Sequence, residues 1–203
     1  MSYDFFVFPA ELADDLAAAV QVYEAAPERG ALAPEAAVAR FLHGLPGDLL
    51  TQPADGYDGG CTVRTTWADP MGNLGTVAGV AAPLGLSVLD VQLDALYDPR
   101  GRVHVALDTE AGPQLPFLTR RSLREVVAHI SGQRYHWVNL TRGQGFAQSY
   151  RDADGSWAVE HRDGGRHFVA RTDDAALVEG LLWSWARDDG RWQAMAEFSP
   201  VRI

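Results

Sequence analysis

Two periods of apolar residues divide the first half of the chain into strands and helices. Residues 3–8 read YDFFVF and end at Pro9, a pattern that predicts a buried strand. Residues 10–26 and 34–45 carry apolar side chains at helical spacing and each stops beside a proline, so both are predicted to be helices. The remaining pattern predicts a loop, a strand, a glycine-weakened helix and two further strands, over residues 51–60, 61–67, 72–83, 86–91 and 103–107.

The second half changes to a period of two after Gly132. Turn sequences at 152–155 (DADG) and 163–165 (DGG) separate segments in which apolar and polar residues alternate, which predicts a β-meander. Ser122 with Glu125 fits a capping box before the meander, and Thr119 is an alternative cap. In chain order the pattern predicts a helix, four strands, a helix and a strand, over residues 119–130, 135–140, 146–151, 157–162, 167–171, 173–185 and 192–198.

Composition changes along the chain together with the pattern. All 17 basic residues are arginine and the net charge is −10. Residues 1–110 hold 16 Asp and Glu against 5 Arg, whereas residues 111–203 hold 11 against 12. We therefore predict an acidic unit over residues 1–112 and a second unit over residues 113–203. The predicted fold class is α+β, with an antiparallel or mixed sheet in each unit, helices packed on one face of each sheet, and units that are either separate or merged into one domain.

Several chemistries are excluded by residues that the chain lacks. Without lysine there is no Schiff base, no lysine general base and no phosphate-loop lysine. Cys61 is the single cysteine, which excludes an intramolecular disulfide, and we predict a small buried thiol. Neither a Gly-x-Ser-x-Gly motif nor a nucleotide-binding loop is present. We therefore predict no catalytic residue and no cofactor.

The chain also lacks the pattern of a targeting or membrane segment. Its first residues have no basic region followed by an apolar core, and no apolar run reaches the roughly 18 residues of a membrane helix. These observations predict a cytoplasmic protein with no membrane partner.

Three side chains beside the second predicted turn are the fallback candidates for a metal site. Glu160, His161 and His167 flank a tight hairpin, and a carboxylate with two imidazoles is a ligand set that zinc accepts. The alternative is that these residues are ordinary cross-strand neighbours on a solvated sheet face, and we prefer it. The metal prediction is therefore none.

Arginine and aromatic residues alternate along the meander, as in proteins that hold single-stranded nucleic acids. Acidic residues such as Asp152 and Glu160 lie among these arginines, and cross-strand pairs such as Arg151 with Glu160 would neutralise them. A net charge of −10 also repels a polyanion. We therefore predict no nucleic-acid partner.

The last 60 residues resemble a known pattern. The stretches FAQSYRD from Phe146, GSWAVEHRDGG from Gly155 and HF at 167–168, followed by a tryptophan-rich helix and Trp192, are similar to many uncharacterised actinobacterial proteins. In element order they also resemble some immunity proteins of bacterial polymorphic-toxin systems. The resemblance implies an intracellular inhibitor of a toxin domain, and it assigns no site residue because the matching motifs are packing and turn residues.

These observations favour a non-catalytic binding protein that occludes a basic toxin domain. The predicted contact is the acidic segment 51–69, in which aromatic side chains would serve as anchors. Its candidate residues are Asp55, Tyr57, Asp58, Trp67 and Asp69.

Two alternatives to a toxin inhibitor stay open. One is an enzyme of unfamiliar type that uses the Glu/His cluster or a pocket between the units. The other is a structural homo-oligomer that buries Trp183 and Trp192, so the predicted state is a monomer or a homodimer.

Overall fold

The computed structural model describes residues 2–27, 35–163 and 165–201, and it confirms the α+β class with two units. Pro34 of the second predicted helix and Gly164 of the second predicted turn lie outside the described residues. Contacts divide the chain into unit 1, Met1–Arg100, and unit 2, Gly101–Ile203. Each unit has its own antiparallel sheet, so the two sheets do not merge.

Unit 1 contains a sheet of five described strands in the order β2-β3-β1-β4-β5, every neighbouring pair antiparallel. Single 3₁₀ turns follow β1 and α3, at Ala10–Leu12 and Ala82–Leu84. Its strands and helices are β1 (Tyr3–Pro9), α1 (Leu16–Ala25), α2 (Ala36–Gly44), β2 (Asp55–Tyr57), β3 (Gly60–Thr65), α3 (Pro70–Ala81), β4 (Leu86–Asp90) and β5 (Ala95–Tyr97).

The strand order places two split β-α-β units side by side. Strands β1 and β2 are parallel with β3 between them, and β3 and β4 are parallel with β1 between them. This is the ferredoxin-like arrangement, to which β5 adds an outer strand beside β4.

Helices cover both faces of the first sheet, whereas the sequence predicted one. Phe6 and Phe8 pack with α1 on one face, and Phe5 and Val7 point to the other face, where α2 and α3 contact β1. The reason is the sequence of β1, in which four consecutive large apolar residues replace alternation. Such a run is typical of a strand that is buried on both sides.

Unit 2 contains a sheet of six described strands in the order β11-β10-β9-β8-β7-β6. Its elements are β6 (Ala106–Thr109), α4 (Arg120–Ser131), β7 (Trp137–Arg142), β8 (Gly145–Arg151), β9 (Trp157–Asp163), β10 (Arg166–Thr172), α5 (Ala175–Arg187), α6 (Trp192–Met195) and β11 (Ser199–Pro200). The predicted meander corresponds to β7–β10, and Thr119 rather than Ser122 is the cap of α4, with Ser122 completing the capping box.

Helices α4 and α5 pack against each other and against one face of the second sheet. That face presents Val138, Leu140, Ala147 and Val159, all of them fully buried. Because side chains on a strand point alternately to the two faces, the intervening residues lie on the opposite face. Most of those intervening residues are half-exposed, so α4 and α5 leave that face open.

The division between the units falls after Arg100, twelve residues before the predicted boundary at 112. Strand β6, which the sequence assigned to the first unit, pairs with β7 in the second sheet. Bridges from Leu107 to Leu115 and from Val103 to Leu118 hold the connecting segment against β6. Gly112 and its neighbouring prolines therefore form a turn inside unit 2 rather than a linker.

The predicted last strand, 192–198, is also wrong. Residues 192–195 form the single helical turn α6, and only Ser199–Pro200 pair with β10. Trp183 and Trp192, the residues of the homo-oligomer hypothesis, are both half-buried, and the ring of Trp192 packs against Phe198.

Candidate functional site: the open face of the second sheet

The pairing registers of β6–β10 order the side chains of the open face into three rows. Asp108 lies opposite Asn139, Asn139 opposite Gln148, and Gln148 opposite Glu160, so carboxylates and amides form a middle row across four strands. The flanking rows contain aromatic and basic side chains together with smaller ones. One contains Thr141, Phe146, Arg162 and His167, and the other Trp137, Tyr150, Ala158 and Arg171.

Glu160 is the centre of a hydrogen-bond network in the middle row. Tyr150 donates its hydroxyl to Glu160 Oε1 at 2.8 Å, and Gln148 donates its amide to Oε2 at 2.6 Å. His167 Nε2 lies 3.0 Å from the same Oε2. Only 12% of the Glu160 side chain is exposed, so three neighbours hold a carboxylate that faces the solvent side of a sheet.

The network changes the acidity of the phenol in it. Burial raises the pKa of Tyr150 above its ordinary value, and the hydrogen bond to the Glu160 carboxylate raises it further. Tyr150 is therefore a neutral donor near pH 7, and it holds the carboxylate in place.

A pocket of about 460 Å³ opens on this face beside the Glu160 network. It is lined by His136, Trp137, Asn139, Gln148, Tyr150 and Arg151. The volume falls within the roughly 300–1,000 Å³ of small-ligand sites. Aromatic side chains together with amides give the pocket both apolar surface and hydrogen-bonding groups.

Two oxygen atoms next to this pocket are unsatisfied. Asp108 Oδ1 and Asn139 Oδ1 are buried, and neither accepts a hydrogen bond from any residue in the described part of the chain. The two residues are direct cross-strand partners, so the two acceptors belong to directly opposed side chains, and the Asn139 amide nitrogen lies 3.4 Å from Thr141 Oγ1. Leaving a buried acceptor unpaired costs about 1–3 kcal/mol, which marks this pair as a place for a donor.

Comparisons with known proteins give no relative. No family model matches the chain, and no curated protein or solved structure matches it. Among the described residues, no helix is both long and apolar enough to cross a bilayer. What the open face can bind must therefore be inferred from its own residues.

The three fallback metal residues do not come together. Glu160 and His167 meet across the β9–β10 hairpin, as the sequence predicted, but His161 points to the helix-covered face because it neighbours Glu160 on one strand. His161 is 7% exposed and its ring stacks on Phe168. Across residues 2–27, 35–163 and 165–201 no three His, Cys, Asp or Glu side chains are grouped to hold a metal ion.

The predicted contact residues of unit 1 lie at two ends of β3. Asp55 and Tyr57 are on β2, and Asp58 is in the turn that joins β2 to β3. Trp67 and Asp69 follow the other end of β3, which spans about 17 Å of extended strand from Gly60 to Thr65. The three Asp residues and Trp67 are exposed, whereas Tyr57 is half-buried against the core under α1.

Two of these five residues also have structural roles. Asp69 caps α3 by accepting the N–H of Gly72 at 3.0 Å, and Asp55 forms a 2.6 Å ion pair with Arg64. The Asp69 cap follows from the local sequence, since Asp before Pro70 is a standard helix start.

Trp67 combines exposure with a fixed position. Half of it (51%) is exposed, yet its indole N–H donates to the Ser2 carbonyl at 2.8 Å and its ring lies edge-on to Tyr3, 4.8 Å between ring centroids. Tyr3 is in turn held by a 2.7 Å hydrogen bond to buried Asp90. A pre-positioned aromatic surface of this kind suits an interface anchor.

Three arginines of the meander are engaged within unit 2. Arg151 donates to the carbonyls of Gly155 and Ser131 rather than pairing with Glu160 as predicted, and Arg171 contacts Asp152. Arg142 lies over the ring of Trp185 at 4.9 Å and also pairs with Asp188. These contacts hold the three guanidinium groups to the protein.

Sequence reasoning found Glu160 and His167 but missed Asp108, Asn139 and Gln148. The alternation in β7 and β8 places Asn139 and Gln148 on the polar face, so these two residues could have been predicted from the sequence. The position of Asp108 depends on β6 joining the second sheet, which the chain sequence around 112 does not indicate.

Proposed function

We propose that this protein is a non-catalytic binding protein that inhibits a basic partner, in the manner of an immunity protein that occludes a toxin domain. The observation that supports it is the division of charge between the units. Residues 1–100 hold 14 Asp and Glu against 4 Arg, and residues 101–203 hold 13 of each. The whole net charge of −10 therefore belongs to unit 1.

Most of this charge reaches solvent. The exposed acidic side chains in the described part of unit 1 are Glu11, Asp14, Asp15, Glu24, Glu35, Asp48, Asp55, Asp58, Asp69 and Asp94. Ion pairs with Arg64 and Arg100 neutralise a minority of them. A surface of one sign attracts a partner of the opposite sign from a distance and speeds association.

The predicted contact residues are compatible with one interface. A standard protein interface covers about 800 Å² on each partner, a patch roughly 30 Å across. Strand β3, about 17 Å long, separates the β2–β3 turn from Trp67, which follows the strand by two residues, and this span fits within the patch. In this proposal Trp67 is the aromatic anchor, and the surrounding carboxylates meet arginine and lysine side chains on the partner.

The test uses purified protein with the basic toxin domains encoded beside its gene. A double variant, Asp58→Asn with Asp94→Asn, is compared with a matched control in unit 2, Asp173→Asn with Glu197→Gln; all four side chains are exposed. We expect the unit 1 variant to slow association about tenfold at low salt and to weaken its salt dependence. Trp67→Ala should speed dissociation instead.

Two results contradict the proposal. One is that no neighbouring toxin domain binds the protein or becomes tolerable to cells when the protein is co-expressed. The other is that the two double variants slow association equally, since charge on unit 1 would then have no special role.

A second candidate is an enzyme that acts from the open face, favoured by the 3.0 Å contact between His167 and Glu160. A carboxylate that orients an imidazole is a common general-base arrangement. If His167→Gln keeps partner binding but abolishes protection of cells, this candidate replaces inhibition by occlusion. Unchanged protection excludes it.

A further inference from the structure

We propose that the pocket on the open face of unit 2 binds a guanidinium group, the side chain of an arginine presented by a polypeptide. The pocket borders the cross-strand pair Asp108 and Asn139, and Trp137 and Tyr150 line it. The inference concerns unit 2 alone, so it does not depend on the acidic surface of unit 1.

The two unsatisfied oxygens set the hydrogen-bonding chemistry of the ligand. Asp108 Oδ1 and Asn139 Oδ1 are buried acceptors on adjacent strands, at directly opposed positions. Directly opposed residues have Cβ atoms about 5 Å apart, so the spacing of the two residues matches one ligand group with two diverging N–H donors. A guanidinium carries five donors in a rigid fork, which fits such a pair of acceptors.

The charges around the pocket favour a cation. Asp108 and Glu160 lie in the middle row, and Glu110 contacts His136 at the rim. Arg151 is the arginine among the lining residues, and its guanidinium donates to the Gly155 and Ser131 carbonyls. Arg171, in the row of Tyr150, contacts Asp152. A carboxylate or phosphate ligand would meet unsatisfied acceptors and be repelled.

The aromatic residues favour a planar cation over a compact one. Trp137 and Tyr150 are directly opposed on β7 and β8, and both belong to the pocket wall. The Tyr150 ring is held by its bond to Glu160, so its position is fixed before a ligand arrives. A guanidinium stacks on aromatic faces while its edge donates hydrogen bonds, whereas a lysine ammonium is a strongly hydrated point charge.

A polypeptide is the favoured source because the pocket lies on an open sheet face. Flanking residues of a bound segment can contact the neighbouring rows, which contain Phe146, His167 and Thr141. A free small molecule gains only the contacts of the pocket itself. A single arginine in a partly solvated site is expected to bind with a Kd of about 1 mM.

The experiment is a titration of ¹⁵N-labelled full-length protein with three blocked peptides, Gly-Arg-Gly, Gly-citrulline-Gly and Gly-Lys-Gly, and with free arginine. Trp137→Phe and Asn139→Leu identify the indole and side-chain amide signals to follow. We expect the arginine peptide to shift the Trp137 indole and the Asn139 amide, the lysine peptide to bind at least threefold more weakly, and the citrulline peptide to leave both signals in place. Tighter binding of free arginine than of the peptide would also support guanidinium recognition and would assign a small molecule as the source.

Variants separate recognition from folding. Asn139→Leu removes one acceptor at similar volume and should weaken arginine-peptide binding at least tenfold, and Asp108→Asn should weaken it by removing the charge. Val169→Thr is the matched control, because it lies on the same face opposite Glu160 and should leave binding unchanged. A dispersed spectrum confirms that each variant is folded.

Three outcomes overturn the inference. The arginine and citrulline peptides shift the two signals equally, or the arginine peptide shifts neither. The third is that the Asn139 amide already donates to the Asp108 carboxylate in the free protein, seen in ¹³C,¹⁵N-labelled protein as a scalar coupling across that bond that the arginine peptide leaves unchanged, since the acceptor pair would then be satisfied internally.

Discussion

The carboxylate of Glu160 is held by three donors on the solvent side of a sheet, with little of it exposed. Its neighbours Gln148 and Tyr150 are placed by strand register, so the network exists only when β8 and β9 pair correctly. At the scale of single residues, the hydrogen bonds of Glu160 therefore indicate whether the strands of unit 2 are correctly paired.

Replacing Glu160 by Gln should destabilise the protein. The new amide nitrogen must face either the Tyr150 hydroxyl or the Gln148 and His167 donors, so at least one donor loses its acceptor. We expect the free energy of unfolding to fall by about 1–3 kcal/mol in urea. The exposed Glu197→Gln should change it by less than about 0.5 kcal/mol. Equal effects of the two substitutions would show that the network contributes nothing.

Cys61 should be chemically silent in the native protein. Its side chain is fully buried in β3, and burial raises the pKa of the thiol to about 12. At pH 8 we expect no reaction with Ellman's reagent in buffer, because the reactive thiolate is scarce and inaccessible. One thiol per chain should react within minutes after denaturation, and a fast reaction without denaturant would contradict the burial.

Predictions for single residues succeeded where the alternation of side chains along one strand was sufficient to make them. The burial of Cys61 is confirmed, and Glu160 and His167 meet as predicted. His161 was grouped with them although neighbours on a strand face opposite ways, and that error was avoidable from the period of two.

Four helices begin at a residue whose side chain caps the helix, and one of these residues also belongs to the proposed interface. Asp15, Asp69, Thr119 and Asp174 each cap a helix by accepting a backbone N–H. Asp69 is also one of the predicted partner contacts. Its role in α3 is local, since the cap requires only the three residues after it to turn into the helix.

Asp69→Ala should lower stability by about 1 kcal/mol, because the N–H of Gly72 loses its acceptor. Asp58→Ala removes another exposed aspartate, from the β2–β3 turn, and is the matched comparison. We expect it to shift the urea midpoint less than half as far as Asp69→Ala does. If the two midpoints move alike, the cap does not stabilise α3.

Elements with a clear period were predicted well and short ones were not. The four meander strands and α3–α5 are close to their predicted bounds because each spans six or more residues of one period. Strand β5 has three residues and α6 has four, too few to show a period. The spacing of Trp192, Met195 and Phe198 is helical, yet the turn was assigned to a strand.

At the scale of the whole molecule, the boundary between the units is the least sequence-readable feature. The segment 101–118 contains Gly112 and prolines, which are typical of a linker, but its residues pair with each other and with β7. Long-range strand pairing decides whether this segment belongs to unit 1 or to unit 2, and local composition does not indicate that pairing. The candidate face was only half predictable for the same reason, since its middle row begins on β6.

Two fragments test this boundary. Residues 101–203 keep β6 and its bridging segment, whereas residues 113–203 lack β6, keep the bridging residues Leu115 and Leu118 without their partners, and expose the edge of β7. We expect the longer fragment to unfold cooperatively on heating, as followed by circular dichroism, and the shorter one to show a broad transition at least 10 °C lower or to aggregate. Indistinguishable melting curves would place the boundary where the sequence predicted it.

The outermost strands of the two sheets are short or covered, and this limits how a peptide can bind to them. In the described residues, β2 and β5 are three residues long, β11 is two and contains a proline, and the free side of β6 is occupied by the segment around Leu115. A peptide that docks by extending a sheet needs a longer run of unpaired backbone N–H and C=O groups than any of these strands offers. Side chains, rather than unpaired backbone groups, must therefore determine which partner binds. Single substitutions should then change partner preference without any change in the backbone.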